Sequence, residues 1–270
     1  MFHQMPKKKI IFVLLASLLV LSGSFIAYKF IQHEKAQNYR LSVLETSIQG
    51  NIAHFMEKQR QKEEYYEYDT AYKNDTYNYL AIGNSLTLIP SWGRGICSTR
   101  PDNDYFHLVV KHLENQHGTV VAYPYNMSPW ERSNDRDACL DLIDVYLSDK
   151  LDLVTIQLGE NVTDQTTYEK DLEKLIAYVR QKAPKAQIII IGDFWDKKKN
   201  VQRQQAAQNT NCSFVDLSEI MNKKDYQSNE GQECLLPDGS TIQVSHAAAT
   251  HPGDNGMKYI AEGVIAAINK

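Results

Sequence analysis

The chain reads Tyr77-Asn78-Tyr79-Leu80-Ala81-Ile82-Gly83-Asn84-Ser85-Leu86-Thr87 at the point that decides its fold. Aromatic and aliphatic residues run up to Ile82 and indicate a buried strand, and the Gly-Asn-Ser turn ends it. A glycine after a buried strand lets the chain bend sharply, because positive φ costs it little. Ser85 is therefore expected just past the carboxyl end of the strand, where open α/β sheets place their ligands. Its hydroxyl is either a helix cap or a nucleophile.

From Thr76 onward the sequence alternates between strand and helix patterns. Further strands are predicted at Thr119–Tyr123, Leu151–Leu158, Gln187–Ile191 and Ser213–Val215, and helices at about Asp104–Gln116, Asp135–Leu147, Thr167–Ala183, Val201–Gln208 and Asp254–Asn269. Five strands that alternate with helices predict a three-layer α/β/α sandwich of flavodoxin-like type, with one parallel sheet covered on both faces. The most apolar strand, Gln187–Ile191, is expected at its centre. Residues 76–270 form this domain, and the polar segment 223–245 is an insertion or hairpin.

The N-terminus predicts a membrane segment. A basic tail over residues 1–9 ends in three lysines, and an apolar run follows over residues 10–28. About 18 apolar residues just span a hydrocarbon core of roughly 30 Å. Lysines before the run keep the N-terminus in the cytoplasm, so the body of the chain is expected outside it. A cleaved signal peptide is the competing interpretation, with small residues at 22–24. Apolar residues at 25–27 favour an uncleaved transmembrane anchor.

Residues 29–75 are predicted to form a helical stalk and linker. Their apolar residues at helical spacing make one narrow stripe of Leu41, Leu44, Ile48, Ile52 and Phe55, which favours weak dimerisation or docking on the domain. The whole chain is 43% hydrophobic with a net charge of -4. That composition lacks the basic surplus typical of nucleic-acid binders, so no nucleic-acid partner is expected.

Four cysteines, Cys97, Cys139, Cys212 and Cys234, fit an oxidising compartment. Four cysteines allow three pairings. A Cys212–Cys234 disulfide would close a local loop and leave Cys97 to pair with Cys139, and buried free thiols are the alternative. No CxxC pair, phosphate loop or nucleotide fingerprint occurs, so no metal and no cofactor are expected.

Three polar residues fall at strand ends or just before the last helix: Ser85, Asn161 and His251. The carboxyl ends of parallel strands share one edge of a sheet, so these side chains are expected to converge. Imidazole is a suitable base for a serine hydroxyl near neutral pH. An amide group and backbone N–H groups stabilise the tetrahedral oxyanion, and each donor contributes about 10²–10³ in rate. The pattern indicates acyl transfer.

These residues also carry a family resemblance. Gly83-Asn84-Ser85-Leu86 is similar to the Gly-Asp-Ser-Leu block of the SGNH (GDSL-type) hydrolases, and Gly159-Glu160-Asn161 resembles their Gly-x-Asn block. His251-Pro252, with Asp254 and Gly256, resembles their last block. The resemblance covers about residues 76–270. It implies that Ser85 is the nucleophile, His251 the base, and Asn161 with the Ser85 backbone N–H the oxyanion hole.

The second family block departs from the pattern in this chain. The family has an asparagine followed two positions later by a glycine whose N–H joins the oxyanion hole. Here Asn126 is followed at that spacing by Ser128. The Ser128 N–H is therefore the third candidate donor.

The triad acid is also missing, because the position three residues before the histidine is Ala248. Loss of that carboxylate costs about 10⁴ in rate in serine proteases. A backbone carbonyl near Ala248 is the favoured acceptor for the imidazole N–H, with Asp238 and Asp254 as alternatives. His246 is a rival base, but the proline and helix that follow favour His251.

All three tryptophans lie in loops predicted to follow strand carboxyl ends, and indole faces beside polar groups suit a sugar ring. The candidate substrate-binding residues are Trp92, Arg94, Asn126, Trp130, Glu160 and Trp195. The alternative is that the tryptophans only pack over the sheet ends.

Together these patterns predict an extracytoplasmic, membrane-anchored serine esterase that removes acyl groups, above all acetyl, from a carbohydrate. An O-acyltransferase that acts on surface glycans shares the first half-reaction. The absent carboxylate at Ala248 keeps a third interpretation open, a degenerate surface domain that binds glycans or proteins. Two N-glycosylation acceptors, at Asn126 and Asn161, would block the site if modified, which favours a bacterial origin.

Overall fold

The computed structural model describes residues 28–38, 41 and 71–269. Contacts divide the chain into two compact units, Met1–Ile48 and Gln49–Lys270. In the first, residues 28–38 form helix α1 with exposed side chains. None of the helices among the described residues is both long enough and apolar enough to cross a bilayer. The predicted basic tail, nearly all of the predicted membrane segment and most of the stalk, including its apolar stripe apart from Leu41, lie outside the described residues.

A five-stranded parallel sheet forms the middle layer of the second unit. Its strands are β1 Tyr77–Gly83, β2 Val120–Asn126, β3 Leu153–Gln157, β4 Gln187–Ile191 and β5 Ser213–Val215. They lie in the order β2-β1-β3-β4-β5, which is the flavodoxin-like order, and every neighbouring pair is parallel. The sheet prediction is confirmed except for its centre, which is β3. The apolar β4 lies one place from the centre, between β3 and the short edge strand β5.

Five helices and three 3-10 segments surround the sheet. The helices are α2 Tyr105–His117, α3 Ser128–Arg132, α4 Tyr168–Lys182, α5 Lys197–Asn209 and α6 Asp254–Ile268. The 3-10 segments are Pro90–Trp92, Asp137–Tyr146 and Lys224–Tyr226. The helix predicted at 135–147 is therefore a 3-10 segment. The short α3, in a predicted loop, begins with a proline in its first turn, a favoured position.

Both faces of the sheet are buried, and β1 shows this residue by residue. Leu80 and Ile82 lie in a core cluster that includes α4 residues, whereas Tyr79 and Ala81 lie in a second cluster with α2 and α6 residues. Alternate residues of a strand point to opposite faces, so helices cover the sheet from two sides. The α/β/α sandwich prediction is confirmed for the described residues.

The polar segment before α6 contains the predicted hairpin. Its antiparallel strands are β6 Glu233–Leu235 and β7 Thr241–Gln243. Trp92, Cys97, Cys234 and Val244 form a small separate core between this hairpin and the loop that follows β1.

Candidate active site

Ser85 lies at the point where the strand order of the sheet changes direction. β1 runs between β2 and β3, so the loops after β1 and β3 diverge to opposite sides and leave a crevice at their carboxyl ends. Ser85 follows β1, and Glu160 and Asn161 follow β3. The topology therefore brings these predicted site residues to one edge of the sheet.

The turn that carries Ser85 is held by its neighbour Asn84. The Asn84 carbonyl accepts hydrogen bonds from Thr87 N (3.0 Å) and Leu88 N (2.9 Å), and its side-chain Oδ1 accepts one from Leu86 N (3.1 Å). Within residues 71–269, Ser85 N donates no hydrogen bond. Its N–H is thus available to a ligand, as an oxyanion donor must be.

Gly83 ends β1 for a reason that differs from the one expected. Its φ does not lie in the left-handed region. A Cβ at this position would instead collide with the Thr87 hydroxyl. Glycine is needed because the turn folds back closely onto the strand end.

His251 is held through its Nδ1 by the backbone. Nδ1 lies 2.9 Å from the Ala248 carbonyl oxygen. A carbonyl only accepts, so Nδ1 carries the proton and the neutral ring keeps a free lone pair on Nε2. Burial lowers the pKa of His251, and the bond to Ala248 opposes part of that shift. The imidazole is therefore uncharged and able to accept a proton at neutral pH.

The sequence analysis favoured a backbone carbonyl near Ala248 as the group that accepts the imidazole N–H in place of the missing carboxylate. In the structure, the Ala248 carbonyl lies within hydrogen-bond distance of His251 Nδ1. The two alternative acids are engaged elsewhere: Asp238 accepts bonds from Ser240, and Asp254 accepts bonds from Thr99 and Asn103. The rival base His246 has a side chain that is 90% exposed and pairs with Glu230 at 2.9 Å.

One loop connects the Ser85 turn to the His251 segment. Ile96 N donates to the Ser85 carbonyl at 2.8 Å. The next residue, Cys97, donates its thiol hydrogen to the Ala248 carbonyl at 3.3 Å. Among residues 71–269, no hydrogen bond joins the Ser85 hydroxyl to His251, and catalytic bonds of this kind often form only when substrate binds. The loop sets the positions of both groups.

A buried glutamate that the sequence analysis missed lies behind the turn that carries Ser85. Glu131, on α3, is 1% exposed. Its carboxylate accepts hydrogen bonds from Asn84 Nδ2 (2.9 Å), the Gly159 N–H, Asn161 N (3.4 Å) and Asn161 Nδ2 (2.6 Å). Glu131 thus joins Asn84 to the segment Gly159–Asn161. The one sign of this role in the sequence was that Glu131 lies a few residues past the end of the strand β2.

Glu160 belongs to a second buried charge network. Its carboxylate accepts a hydrogen bond from Asn84 Nδ2 at 2.6 Å and pairs with Arg203 at 2.9 Å. Arg203 is fully buried and also pairs with Asp193 at 2.9 Å. Burial alone would lower the pKa of Arg203, but the carboxylates raise it, whereas burial raises the pKa of Asp193. Glu160 supports the site from within, and its predicted role in contacting substrate is not what its contacts indicate.

The remaining oxyanion candidates differ in availability. Asn161 uses one amide hydrogen for Glu131, which leaves the second for a ligand. Ser128 N already donates to the side chain of Asn126 at 3.0 Å, and Asn126 Nδ2 donates to the Leu88 carbonyl at 2.7 Å. Asn126 and Ser128 thus brace the loops after β1 and β2, and the Ser128 N–H has a partner within the protein.

Comparison with known proteins finds solved structures of similar fold but no relatives by sequence. No protein-family model and no curated protein matches the chain. Among solved structures, it is similar to a two-domain esterase active on acetylated mannans (16% identity, TM-score 0.49, 74% of this chain and 51% of that one). It is also similar to an acetylxylan esterase from Geobacillus stearothermophilus (17%, 0.45, 72% and 94%) and to a lipolytic G-D-S-L family member from Veillonella parvula (15%, 0.46, 72% and 100%). The chain spans about half the length of the two-domain esterase.

The expectation that three tryptophans line the site is wrong for two of them. Trp130 is fully buried, next to Tyr168 and Arg136. Trp92 is 7% exposed and packs in the small core with the hairpin. Both tryptophans pack into the protein interior, as the alternative interpretation of the sequence expected.

Arg94 and Trp195 also separate into structural and site residues. Arg94 is fully buried, and its guanidinium donates to Ser98, to the Trp92 carbonyl and to the Leu235 carbonyl. It therefore cannot reach a substrate. Trp195 does lie at the site, with its ring edge-to-face against His251 at 5.2 Å and its Nε1 donating to the Thr250 carbonyl.

The expected disulfides are absent, since all four cysteines are free thiols. Cys139 and Cys212 lie with the core cluster on the α4 side of the sheet, whereas Cys97 and Cys234 share the small core beside the hairpin. Each predicted disulfide, Cys212–Cys234 and Cys97–Cys139, would join cysteines from different clusters. Among the described residues, no group of His, Cys, Asp or Glu side chains is arranged to hold a metal ion.

Proposed function

We propose that this chain is a serine esterase in which Ser85 attacks an ester carbonyl and His251 accepts its proton. The observation that carries the proposal is the hydrogen bond from His251 Nδ1 to the Ala248 carbonyl. It fixes the tautomer that a base requires, the role of the triad carboxylate in serine hydrolases. Burial keeps the ring neutral, so its Nε2 lone pair is available.

The reaction follows from these groups in two halves. Ser85 Oγ attacks the acyl carbon while His251 Nε2 takes the hydroxyl proton, and the tetrahedral oxyanion lies against the Ser85 N–H and the free amide hydrogen of Asn161. Collapse breaks the ester bond, and His251 returns the proton to the departing alcohol. Water then attacks the acyl-enzyme with His251 as base, and the free acid and the serine are released.

An acylated carbohydrate is the substrate class that the surroundings of His251 favour. A cavity of about 390 Å³ adjoins the segment that follows His251. Its lining is rich in hydroxyl, amide and charged side chains, including Thr99, Lys224, Asn229, Gln232 and Asn255. Such a surface suits a hydroxyl-rich ligand, and Trp195, whose ring lies against His251, offers an aromatic face for a sugar ring. A small acyl group, acetyl above all, is the group removed.

The chain is also proposed to act outside the cytoplasm, anchored by residues 10–28. The support is the triple lysine before an apolar run of membrane-spanning length. Protease added to intact cells should digest residues 76–270, and carbonate washing should leave the chain with the membrane. Recovery of the chain in the carbonate-soluble fraction would contradict anchoring without touching the esterase proposal.

Active-serine labelling tests the chemistry directly. A fluorophosphonate probe should label the wild-type chain but not Ser85→Ala, and His251→Ala should slow labelling by roughly 10²–10⁴. His246→Ala is the matched control and should label at the wild-type rate. If the probe does not label the wild-type chain, the esterase proposal is wrong, and the alternative of a binding domain remains. Loss of acetate from acetylated xylan, compared with acetyl gain on a free glycan, separates hydrolysis from transfer.

A further inference from the structure

Cys97 and Cys234 are both fully buried in the same small core. The buried residues of this core are these two cysteines with Trp92 and Val244, so two of its four buried residues carry a thiol. Cys234 lies on β6, and Cys97 lies in the loop that connects Ser85 to His251.

Two hydrogen bonds, one from the backbone and one from a side chain, hold β6 against the Cys97 loop. Leu235 N donates to the Thr99 carbonyl at 2.8 Å, and the Arg94 guanidinium donates to the Leu235 carbonyl at 2.6 Å. Leu235, which follows Cys234, is therefore hydrogen-bonded to Arg94, which precedes Cys97, and to Thr99, which follows it. The two cysteines lie in neighbouring segments of fixed alignment.

Cys97 also has an uncommon backbone conformation. Its φ is 67°, in the left-handed region that residues other than glycine seldom adopt. Such conformations persist where surrounding contacts impose them, often near functional sites. Here the thiol hydrogen is directed to the Ala248 carbonyl, the same oxygen that holds His251.

We propose that Cys97 and Cys234 form a disulfide when the chain folds in an oxidising compartment, and that the structure represents the dithiol form. The inference does not depend on the esterase activity. Cys139 and Cys212 are excluded as partners because they lie with a different core cluster. The bond ties the β6–β7 hairpin to the loop beside the base and withdraws the thiol donor from the Ala248 carbonyl.

The oxidant is a small disulfide such as oxidised glutathione. The Cys97 thiolate attacks one of its sulfurs, which forms a mixed disulfide and releases one glutathione thiol. The Cys234 thiolate then attacks Cys97 Sγ and releases the second, so the protein loses two protons and two electrons to the oxidant. Burial raises the pKa of Cys97 to about 12. Exchange is therefore slow in the folded chain, and the bond forms while the hairpin is docking.

Refolding the full-length chain from guanidinium chloride in reduced and oxidised glutathione tests this. Digestion without reductant, followed by mass spectrometry, should yield one linked peptide pair that contains Cys97 and Cys234. The oxidised chain should melt about 5–15 °C above the reduced one, because the cross-link restricts the unfolded state. The Cys139→Ser/Cys212→Ser variant should behave identically, whereas reductant should not change the melting temperature of Cys97→Ser/Cys234→Ser.

Two results would overturn the proposal. One is a refolded chain, with native circular dichroism, whose Cys97 and Cys234 are both alkylated after denaturation without reductant. The other is a linkage of either residue to Cys139 or Cys212. If refolding yields no native chain, the same peptide mapping on chain exported into an oxidising compartment gives the decision.

Discussion

Asn84 lies between the carboxylates of Glu131 and Glu160, and this explains why the residue before Ser85 is not an aspartate. Its single amide nitrogen donates one hydrogen to Glu131 and the other to Glu160. An aspartate at this position has no hydrogen to donate and would place a third negative charge between them. The departure from the Gly-Asp-Ser-Leu block that this stretch resembles is thus matched by Glu131 elsewhere in the same chain.

Asn84→Asp should therefore destabilise the protein and disable the site. We expect a loss of about 2–4 kcal/mol in the free energy of unfolding, because an unpaired charge is buried, and at least a hundredfold loss of fluorophosphonate labelling, because the Ser85 turn loses its support. Urea unfolding and labelling rates measure the two effects. Adding Glu131→Gln removes one of the repelling charges and supplies a donor, so the double variant should regain part of the stability. Equal stability of wild type and Asn84→Asp would contradict this account.

Trp195 packs against the His251 ring, and we expect it to contribute to the desolvation of the imidazole. Burial lowers the pKa of His251, and the indole lies edge-on against the ring. The acid limb of kcat/KM for p-nitrophenyl acetate should therefore have its midpoint below pH 6.5. Trp195→Ala admits water and should move the midpoint up toward 6.5, whereas Trp195→Phe keeps an aromatic ring and should move it less. A midpoint that is identical in all three proteins would remove Trp195 from this role.

Two of the helices among the described residues begin with an aspartate cap, and only Asp104 is also bonded to the loop that holds the Ser85 carbonyl. Asp104 caps α2 by accepting from His107 N, and its other oxygen accepts from Gly95 N at 2.8 Å. Gly95 precedes Ile96, which holds the Ser85 carbonyl. Asp196 caps α5 through Lys198 N and Lys199 N and makes no bond to that loop.

Asp104→Ala should therefore reduce activity as well as stability, whereas Asp196→Ala should reduce stability alone. Each substitution removes a cap, which costs about 0.5–2 kcal/mol in the free energy of unfolding. Only the first also frees Gly95 and the loop that holds the Ser85 carbonyl, so labelling of Ser85 should fall about tenfold or more in Asp104→Ala. Melting temperatures and labelling rates, measured on both variants well below their unfolding transitions, test the contrast. Equal labelling of the two would show that the loop needs no anchor at Gly95.

The elements that the sequence predicted well are those with a strong local pattern. The bounds of Gln187–Ile191 and Ser213–Val215 match β4 and β5, and α4 and α6 lie within a residue of expectation. The start of α5 was missed because its first turn is a run of lysines, whose helical role depends on the cap Asp196. The tryptophans were misplaced because a loop's position does not tell whether its side chains point outward or back into the core.

Strand–helix alternation predicted the sheet, and the shared edge of its strands predicted that Ser85 and Asn161 lie in one crevice. The acceptor for His251 was also among the sequence expectations. Glu131 was not, because its role exists only where the ends of β1 and β3 meet α3. The cysteine arrangement was missed for the same reason, since proximity of Cys97 to Cys234 follows from docking of the hairpin and not from sequence spacing.

Acid stability is a property of the whole molecule in which His251 has a separable part. Its pKa is lower in the folded chain than the ordinary 6.5 of the unfolded chain, because burial disfavours the charged ring. Between those two values the unfolded chain binds more protons, so the contribution is fully present above pH 6.5 and is lost as the pH falls through this window. The slope for one group is at most about 1.36 kcal/mol per pH unit. Carboxylates such as Asp164 and Asp238, whose pKa values are lowered by hydrogen bonds from Thr166 and Ser240, lose their contribution only at lower pH.

The free energy of unfolding from urea titrations should therefore decline in two stages as the pH falls from 8 to 3. The first stage begins near pH 6.5 and should be weaker in His251→Asn, because that side chain does not titrate. His246→Asn is the matched control, since its exposed parent lies outside the buried site, and it should keep the wild-type first stage. The second stage, which reflects the carboxylates, should be the same in all three proteins. A first stage of equal slope in wild type and His251→Asn would mean that His251 is not held neutral by burial, and the base proposed for Ser85 would lose its main physical support.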